Sequence, residues 1–280
     1  MRKKPTADGA FRARYGPWAV IAGASEGLGA AFARQAAARG LDVALVARRG
    51  AALAQVAAAL EAEHRVATRT IIADLATPGS AAHIAAAVAD LDVGLLVYNA
   101  ALSVPGPFLD VALATHLDAV AVNCASQLAL VHGLGRRLRD RGRGGIVVVS
   151  SLSGFYGTGF LATYAATKAF GATFAEGLWS ELGAAGVDVV ATCAGATLTP
   201  GCAARAPKRL PQLAPAPMAP DAVADDALRA LGRGPRTIPG RGNRLASFFL
   251  RTFVPRRRAI HIMTDAGRAV FEAELEREER

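Results

Sequence analysis

The sequence predicts a single doubly wound α/β domain, one parallel sheet with helices on both faces. Three observations predict it. Six short apolar runs between Trp18 and Cys193 alternate with longer, alanine-rich stretches of helical periodicity, the pattern of strands joined by crossover helices. The first run leads directly into a glycine-rich turn, Gly23-Ala-Ser-Glu-Gly27-Leu-Gly29. No internal repeat and no linker divides the 280 residues.

Composition supports a globular chain. Apolar residues make up 52% and charged residues 20%, enough to build a sizeable core. Aromatics are only 6%, so Ala, Val and Leu must fill most of it. The three cysteines, Cys124, Cys193 and Cys202, form no CxxC pair. That suits a reducing compartment, taken here as the cytoplasm, and argues against disulfides or structural zinc. The five histidines lack metal-ligand spacing, so no metal is expected. The opening MRKKPTADGAFRARYG is basic without a following apolar stretch, so no secretory signal is expected. No run of about 18 apolar residues points to a transmembrane helix.

The elements follow in order. Residues 1–15 read as a flexible lead-in. Trp18 to Ala22 is the first strand, apolar throughout as a buried parallel strand is. In the turn after it, Gly23 permits a tight reversal, Gly27 lets backbone approach a pyrophosphate, and Gly29 permits close helix packing. The following helix, closed by Gly40, aims its N–H groups and positive dipole at the turn. Leu28 lies within the same turn. Strand, glycine loop and helix together are the context of a dinucleotide phosphate site, although the spacing is GxxxGxG rather than GxGxxG.

Asp42 to Ala47 is the second strand and ends in Arg48-Arg49. In a doubly wound sheet this position faces the adenosine ribose. Arginine there favours a 2′-phosphate, hence NADP(H) over NAD(H), with Arg48 and Ser25 as its contacts and acidic Glu26 as an opposing charge. Ala51 to Arg65 is a helix and Thr68 to Ala73 the third strand. Asp74-Leu75 follows; Asp74 either accepts from the adenine amino group or caps a helix. Pro78 to Ala89 is helical, and Val93 to Tyr98 is the fourth strand. Asn99-Ala100-Ala101 after it is small enough for adenine and ribose to lie close to the backbone.

A long helix is expected from about Val111 to Asp140. Asn123 sits in its middle, where asparagine is disfavoured, which points to a specific hydrogen-bonding task. Ile146 to Ser150 is the fifth strand, and it delivers Ser151 to the C-terminal mouth of the sheet. Leu161 to Leu182 is a helix with Tyr164 and Lys168 one turn apart on one face. A phenol has a pKa of about 10 and is a poor base near neutrality; a nearby ammonium stabilises phenolate. Tyr164 could then exchange a proton with an alcohol or ketone oxygen that Ser151 also hydrogen-bonds. Ser150 and Ser153 offer the same chemistry as Ser151, and Tyr156 has no lysine four residues on.

Val187 to Cys193 is the sixth strand. The turn after it, with Gly195, Thr197 and Thr199, offers N–H and hydroxyl groups for a carboxamide. Residues 200–220 are proline-rich and read as a lid. Pro220 to Leu231 is helical, Thr237-Ile238-Pro239 is edge-like strand, and Asn243 to Val254 is an amphipathic helix. The final FEAELEREER reads as a frayed helix end. In domain terms, a core from 16 to 240 carries a basic helical extension, 241–280.

These motifs, in this order, resemble the classical short-chain dehydrogenases/reductases from about Trp18 to Thr199. The resemblance rests on the GxxxGxG loop, Asp74 after the third strand, Asn99-Ala100-Ala101, Ser151 with Tyr164 and Lys168, and the Ala194-Gly195 turn. It departs where Ala22 replaces a threonine, Ala101 a glycine and Ala194 a proline. It implies a Rossmann-type, seven-stranded sheet and a tetrad of Asn123, Ser151, Tyr164 and Lys168. Lysine would also bind the nicotinamide ribose, and asparagine would hold a water linking lysine to solvent. The implied activity is ketone–alcohol interconversion with NADP(H); the rival reading is a cofactor-binding scaffold or redox sensor without turnover. The implied partners are a small carbonyl or alcohol substrate, hydrophobic by the apolar residues expected around it, and, as in much of the family, further copies of the chain. Leu102, Val104, Phe108, Leu152, Phe155, Phe160, Leu161, Leu198 and Leu210 are expected around the substrate.

Net charge is +9. The arginines from Arg233 to Arg258 lie in a stretch with no acid between Asp226 and Asp265. They read as solvated surface, or as a peripheral contact with an anionic membrane; packing of the apolar side of this stretch on its own subunit or on a second copy is the favoured arrangement. Nucleic acid is not expected, since no recognition motif accompanies the charge.

Overall fold

The computed structural model describes residues 7–199 and 215–278. Seven strands form one sheet in the order β3-β2-β1-β4-β5-β6-β7, and every pairing is parallel. They are β1 (Trp18–Ala22), β2 (Asp42–Ala47), β3 (Thr68–Ile72), β4 (Val93–Tyr98), β5 (Gly144–Ser151), β6 (Val187–Ala194) and β7 (Arg236–Thr237). The order reverses between β1 and β4, which opens a crevice at their carboxyl ends. β1 and β4 are buried nearly throughout, as a sheet covered on both faces requires. One core layer packs α2 (Gly27–Ala38) and α3 (Gly50–His64) on the sheet through Phe32, Leu45, Leu53 and Leu60. The other packs α4 (Ser80–Ala87), α6 (Ser126–Arg141) and α7 (Ala162–Leu182) through Ile84, Leu130, Leu134 and Val148.

Four expectations need correction. Ala7–Tyr15 is not a loose lead but a helix, α1. It is ordered from far along the chain: the buried Tyr15 hydroxyl donates to Asp188 at 2.7 Å, and Arg14 pairs with the same carboxylate. The single helix expected over 111–140 is divided into α5 (Leu113–Val120) and α6 by a π-helical turn, Ala121–Ala125. By length and hydropathy the run Leu113–Arg141 could cross a membrane; Leu130, Leu134 and Leu138 in α6 are fully buried, while Leu113, Leu117 and Leu128 are exposed.

The C-terminal region differs more. After α8 (Pro220–Ala230) come α9 (Arg241–Phe253) and the 23-residue α10 (Arg256–Glu278), a full helix rather than a frayed end. α10 lies against the segment before α7. Its Thr264 accepts from the Gly159 N–H at 3.0 Å, and Phe271 stacks on Phe160 at 5.5 Å. Of the two favoured arrangements for the apolar side of α9, packing on its own subunit is not found: Leu245, Phe248, Phe249 and Phe253 are all exposed. Most of the expected lid, with Leu210 and Cys202, lies outside the described residues.

Candidate active site

The glycine turn is shaped by contacts only glycine permits. Gly23 has a φ of +84°, and a Cβ on Gly29 would sit against the Gly23 carbonyl oxygen and 2.7 Å from the Asn99 amide. Asn99 Nδ2 donates to that carbonyl at 3.0 Å, and the Asn99 and Ala100 N–H groups donate to Ala22 O. Asn99 thus spends its side chain bracing the turn, and half-buried Leu28 packs on the core beneath it. Glu26 precedes α2 without a side-chain cap. No Glu26 side-chain cap therefore occupies the first N–H groups of α2, and a free helix N-terminus is the arrangement that receives phosphate. The cradle a Cβ would fill, together with that uncapped helix end, fits a dinucleotide pyrophosphate.

At the ribose end the two arginines part. Arg49, not Arg48, joins the turn: its Nη2 donates to Ser25 Oγ at 3.0 Å and pairs with Glu26 at 2.9 Å. Arg48 points to Asp74, 3.9 Å away. Asp74 does not cap a helix, since α4 begins at Ser80 after Gly79; it closes a turn, accepting from the Ala76 N–H at 3.0 Å. Leu75 is buried and contributes only its carbonyl, which accepts from Ser126 Oγ at 2.6 Å.

At the catalytic end, parallel pairing aligns Ser150 with Cys193 and Ser151 with Ala194. Side chains alternate along a strand, so adjacent serines take different tasks. Ser150 is buried and donates to Lys168 O at 2.7 Å. Ser151 is half-buried, and its Oγ lies 3.2 Å from Ser153 Oγ while accepting from the Ser153 N–H. Lys168 is buried; its Nζ donates to Val149 O at 2.8 Å and stands 5.6 Å from the centre of the Tyr164 ring. Burial pushes the Lys168 pKa down to about 8, with Cys124 and Cys193 opposing the shift.

Asn123 explains the π turn that holds it. Its amide closes two bonds with Leu102: Nδ2 to Leu102 O at 2.9 Å, and Leu102 N to Oδ1 at 2.7 Å. Nδ2 also donates to Thr167 Oγ1 at 2.9 Å, and that hydroxyl donates to Tyr164 O at 2.9 Å. π turns inside helices often mark functional positions; here the widened turn lets one side chain tie the loop after β4 to the helix that carries Tyr164.

Gly195, Thr197 and Thr199 lie on the turn after β6. Thr197 Oγ1 donates to Gly195 O at 3.1 Å, and Thr197 bridges to Met218. Of the expected substrate wall, Val104 and Leu161 are buried while Phe108 and Leu198 are exposed. Phe160 holds a φ of +61°, a strained value for a bulky residue, and its carbonyl accepts from the Gly106 N–H at 2.8 Å.

Sequence reasoning missed three residues here. Arg49 was visible beside Arg48. Thr167 stands three residues after Tyr164, on the same helical face, and could have been found by that spacing. Asn243 gave no local signal: it is buried at the start of α9 with Oδ1 and Nδ2 beside Gly195, where a Cβ would come within 2.6 Å of Oδ1.

Among the described residues no His, Cys, Asp or Glu cluster could hold a metal. A doubly wound parallel sheet with a glycine turn after its first strand, and Lys168 beside the Tyr164 ring on α7, is the framework of a dinucleotide-binding α/β protein. The model of the short chain dehydrogenase family matches residues 17–209, and the chain belongs to that family. It is 36% identical over 234 residues to the 7β-hydroxysteroid dehydrogenase of Clostridium sardiniense, covering 84% of this chain and 89% of that protein. A very-long-chain 3-oxoacyl-CoA reductase of Meyerozyma guilliermondii is 33% identical over 64% of this chain and 56% of its own length. Among solved structures, a 7β-hydroxysteroid dehydrogenase superposes with a TM-score of 0.85 at 30% identity, covering 90% of this chain and 98% of that one. A short-chain dehydrogenase of Sphingobium yanoikuyae in complex with NADPH gives 0.73 at 32% identity, over 83% of this chain and 92% of that one. The protein is therefore an oxidoreductase acting on hydroxyl or keto groups with a nicotinamide cofactor.

Proposed function

We propose that the chain interconverts a hydrophobic ketone and its secondary alcohol, with NADP(H) preferred to NAD(H). The observation that carries this reading is the buried Lys168 ammonium 5.6 Å from the Tyr164 ring, with Ser151 at the adjoining strand end. When bound, the nicotinamide supplies or accepts the hydride. Tyr164 holds the proton: in reduction its hydroxyl donates to the substrate oxygen, and in oxidation its phenolate accepts from the alcohol. Ser151 donates a second hydrogen bond to the same oxygen and stabilises the charge that develops there. Lys168 keeps the phenolate accessible near neutrality. Asn123 acts through position, fixing the loop after β4 against α7.

The cofactor preference rests on β2. Its end carries Arg48 and Arg49 and no acid, and Arg49 already neutralises Glu26 beside Ser25. Guanidinium groups suit the planar oxygen array of a 2′-phosphate. The substrate reading rests on the apolar residues of 152–161 and on relatives that act on hydroxysteroids and 3-oxoacyl chains. Exposed Leu113, Leu117 and Leu128 with Trp179 support assembly of further copies through α5, α6 and α7, which sedimentation velocity reads directly.

The test of the catalytic reading is Tyr164→Phe on a panel of carbonyls and alcohols with both cofactors. It should lower kcat by about 10³-fold or more, roughly 4 kcal/mol of transition-state stabilisation. Full turnover by the variant would remove Tyr164 from the chemistry. Tight NADPH binding without turnover of any panel member by the wild type would favour the non-catalytic scaffold.

A further inference from the structure

We propose that the cleft between residues 155–156 and the α9–α10 junction is an anion-binding subsite, so that the substrate is an amphiphile with a negatively charged end. The inference rests on the oxidoreductase reading and names its substrate class. The cleft measures about 270 Å³ and is lined by Phe155, Tyr156, Arg251, Val254 and Arg256. It begins four residues after Ser151, along the turn Leu152–Phe155. At about 2 Å per residue for such a 3₁₀ turn, its aromatic wall starts roughly 8 Å along the chain from Ser151. A fused ring system or an acyl chain spans that length.

The arginines are arranged for recognition. Arg251 stacks over Phe155 with its Cζ 4.7 Å from the ring centre, and Arg256 over Tyr156 at 5.7 Å. Stacking uses the flat face of a guanidinium and leaves its N–H edge for a planar acceptor. Neither arginine has a carboxylate partner among the described residues. Arg236 is the contrast: it also stacks on Phe155, at 5.0 Å, but pairs with Glu176 at 2.8 Å. With no acid between Asp226 and Asp265, neighbouring sequence supplies no competing anion. Two unneutralised guanidiniums beside two aromatic rings match a carboxylate, or a phosphate of like charge, on an apolar body.

The experiment is calorimetric titration of the full chain with decanoate, decan-1-ol, decyl phosphate, inorganic phosphate and phosphatidylglycerol vesicles. Decanoate or decyl phosphate should bind at least tenfold more tightly than decanol, and whichever is tighter names the charged group. The variant R251Q/R256Q should lose about 10- to 100-fold of that affinity, the range of one or two charge-assisted hydrogen bonds. R257Q, which removes an equal charge outside the cleft, should change it less than twofold, and R256Q alone keeps the test open should the double variant not fold. Equal binding of decanoate and decanol, equal loss in R257Q, inorganic phosphate binding as tightly as decanoate, or arginine-dependent binding to vesicles alone would each overturn the subsite. Turnover of oxo-acids against their methyl esters supplies the second arm, with the acid-to-ester ratio of kcat/KM falling in R251Q/R256Q. If Tyr164→Phe keeps its turnover, the catalytic reading fails while the titration still reports on the subsite. If Tyr164→Phe abolishes turnover and decanoate gains nothing over decanol, the subsite alone fails.

Discussion

The cofactor end of the crevice and the substrate end are held in shape by different means. Around Gly23 and Gly29 the geometry is carried by main chain: carbonyls, N–H groups and the absence of Cβ atoms set the distances, and Asn99 braces them. Around Tyr164 it is carried by side chains that meet from remote segments. Asn123 reaches Leu102 and Thr167, Lys168 reaches Val149, and Arg251 and Arg256 cover the aromatics of 155–156. A site built from backbone tolerates little change in local sequence but needs few distant partners. A site built from side chains can change its substrate by changing a helix that contributes nothing to the hydride chemistry.

Three substitutions sharpen that contrast, in falling order of effect. Gly29→Ala places a methyl group against the Gly23 carbonyl and displaces Asn99. Overpacking of this kind costs about 3 kcal/mol, and NADPH affinity should drop by more than about 100-fold, read by nucleotide fluorescence and urea unfolding. Unchanged affinity would mean that backbone closeness is not what shapes the turn.

Lys168→Met tests the side-chain end through pH. The folded pKa of Lys168 is about 8, below its ordinary 10.5. Below pH 8 both folded and unfolded states hold the proton. Between about 8 and 10.5 the unfolded chain holds more of it, so the wild type gains stability as pH rises. The rise attributable to Lys168 is roughly 2 kcal/mol between pH 8 and 10, and it should vanish in the variant. Parallel unfolding curves for the two proteins across that window would show that Lys168 is not desolvated.

Arg49→Ala is the mildest. Loss of one charge-assisted bond should lower the NADPH-to-NADH ratio of kcat/KM about tenfold. A ratio that stays put would return the preference to Arg48.

Much of this was legible before the fold was known, and the reason lies in range. The apolar runs marked the central strands, because a strand buried on both faces can hold little else; the edge strands β3 and β7 are more polar and less buried. Tyr164 and Lys168 were legible together because helical periodicity alone brings i and i+4 to one face. The order of α1 was not legible, since it depends on Asp188 more than 170 residues away. Nor was Asn243, whose place beside Gly195 depends on where α9 docks. The long helix read from periodicity was nearly right, but the π turn at Asn123 answers to Leu102 and Thr167, not to local propensity.

The sequence by itself determined the strand–helix alternation, the glycine turn and the chemical groups available at the crevice. These follow from local periodicity and residue chemistry, which neighbours along the chain suffice to express. Only the tertiary structure decided which serine is consumed by Lys168, which arginine meets Ser25, and which arginines stack over the aromatics beyond Ser151. Those choices turn on angstrom-scale distances between segments far apart in the chain, and packing alone sets them.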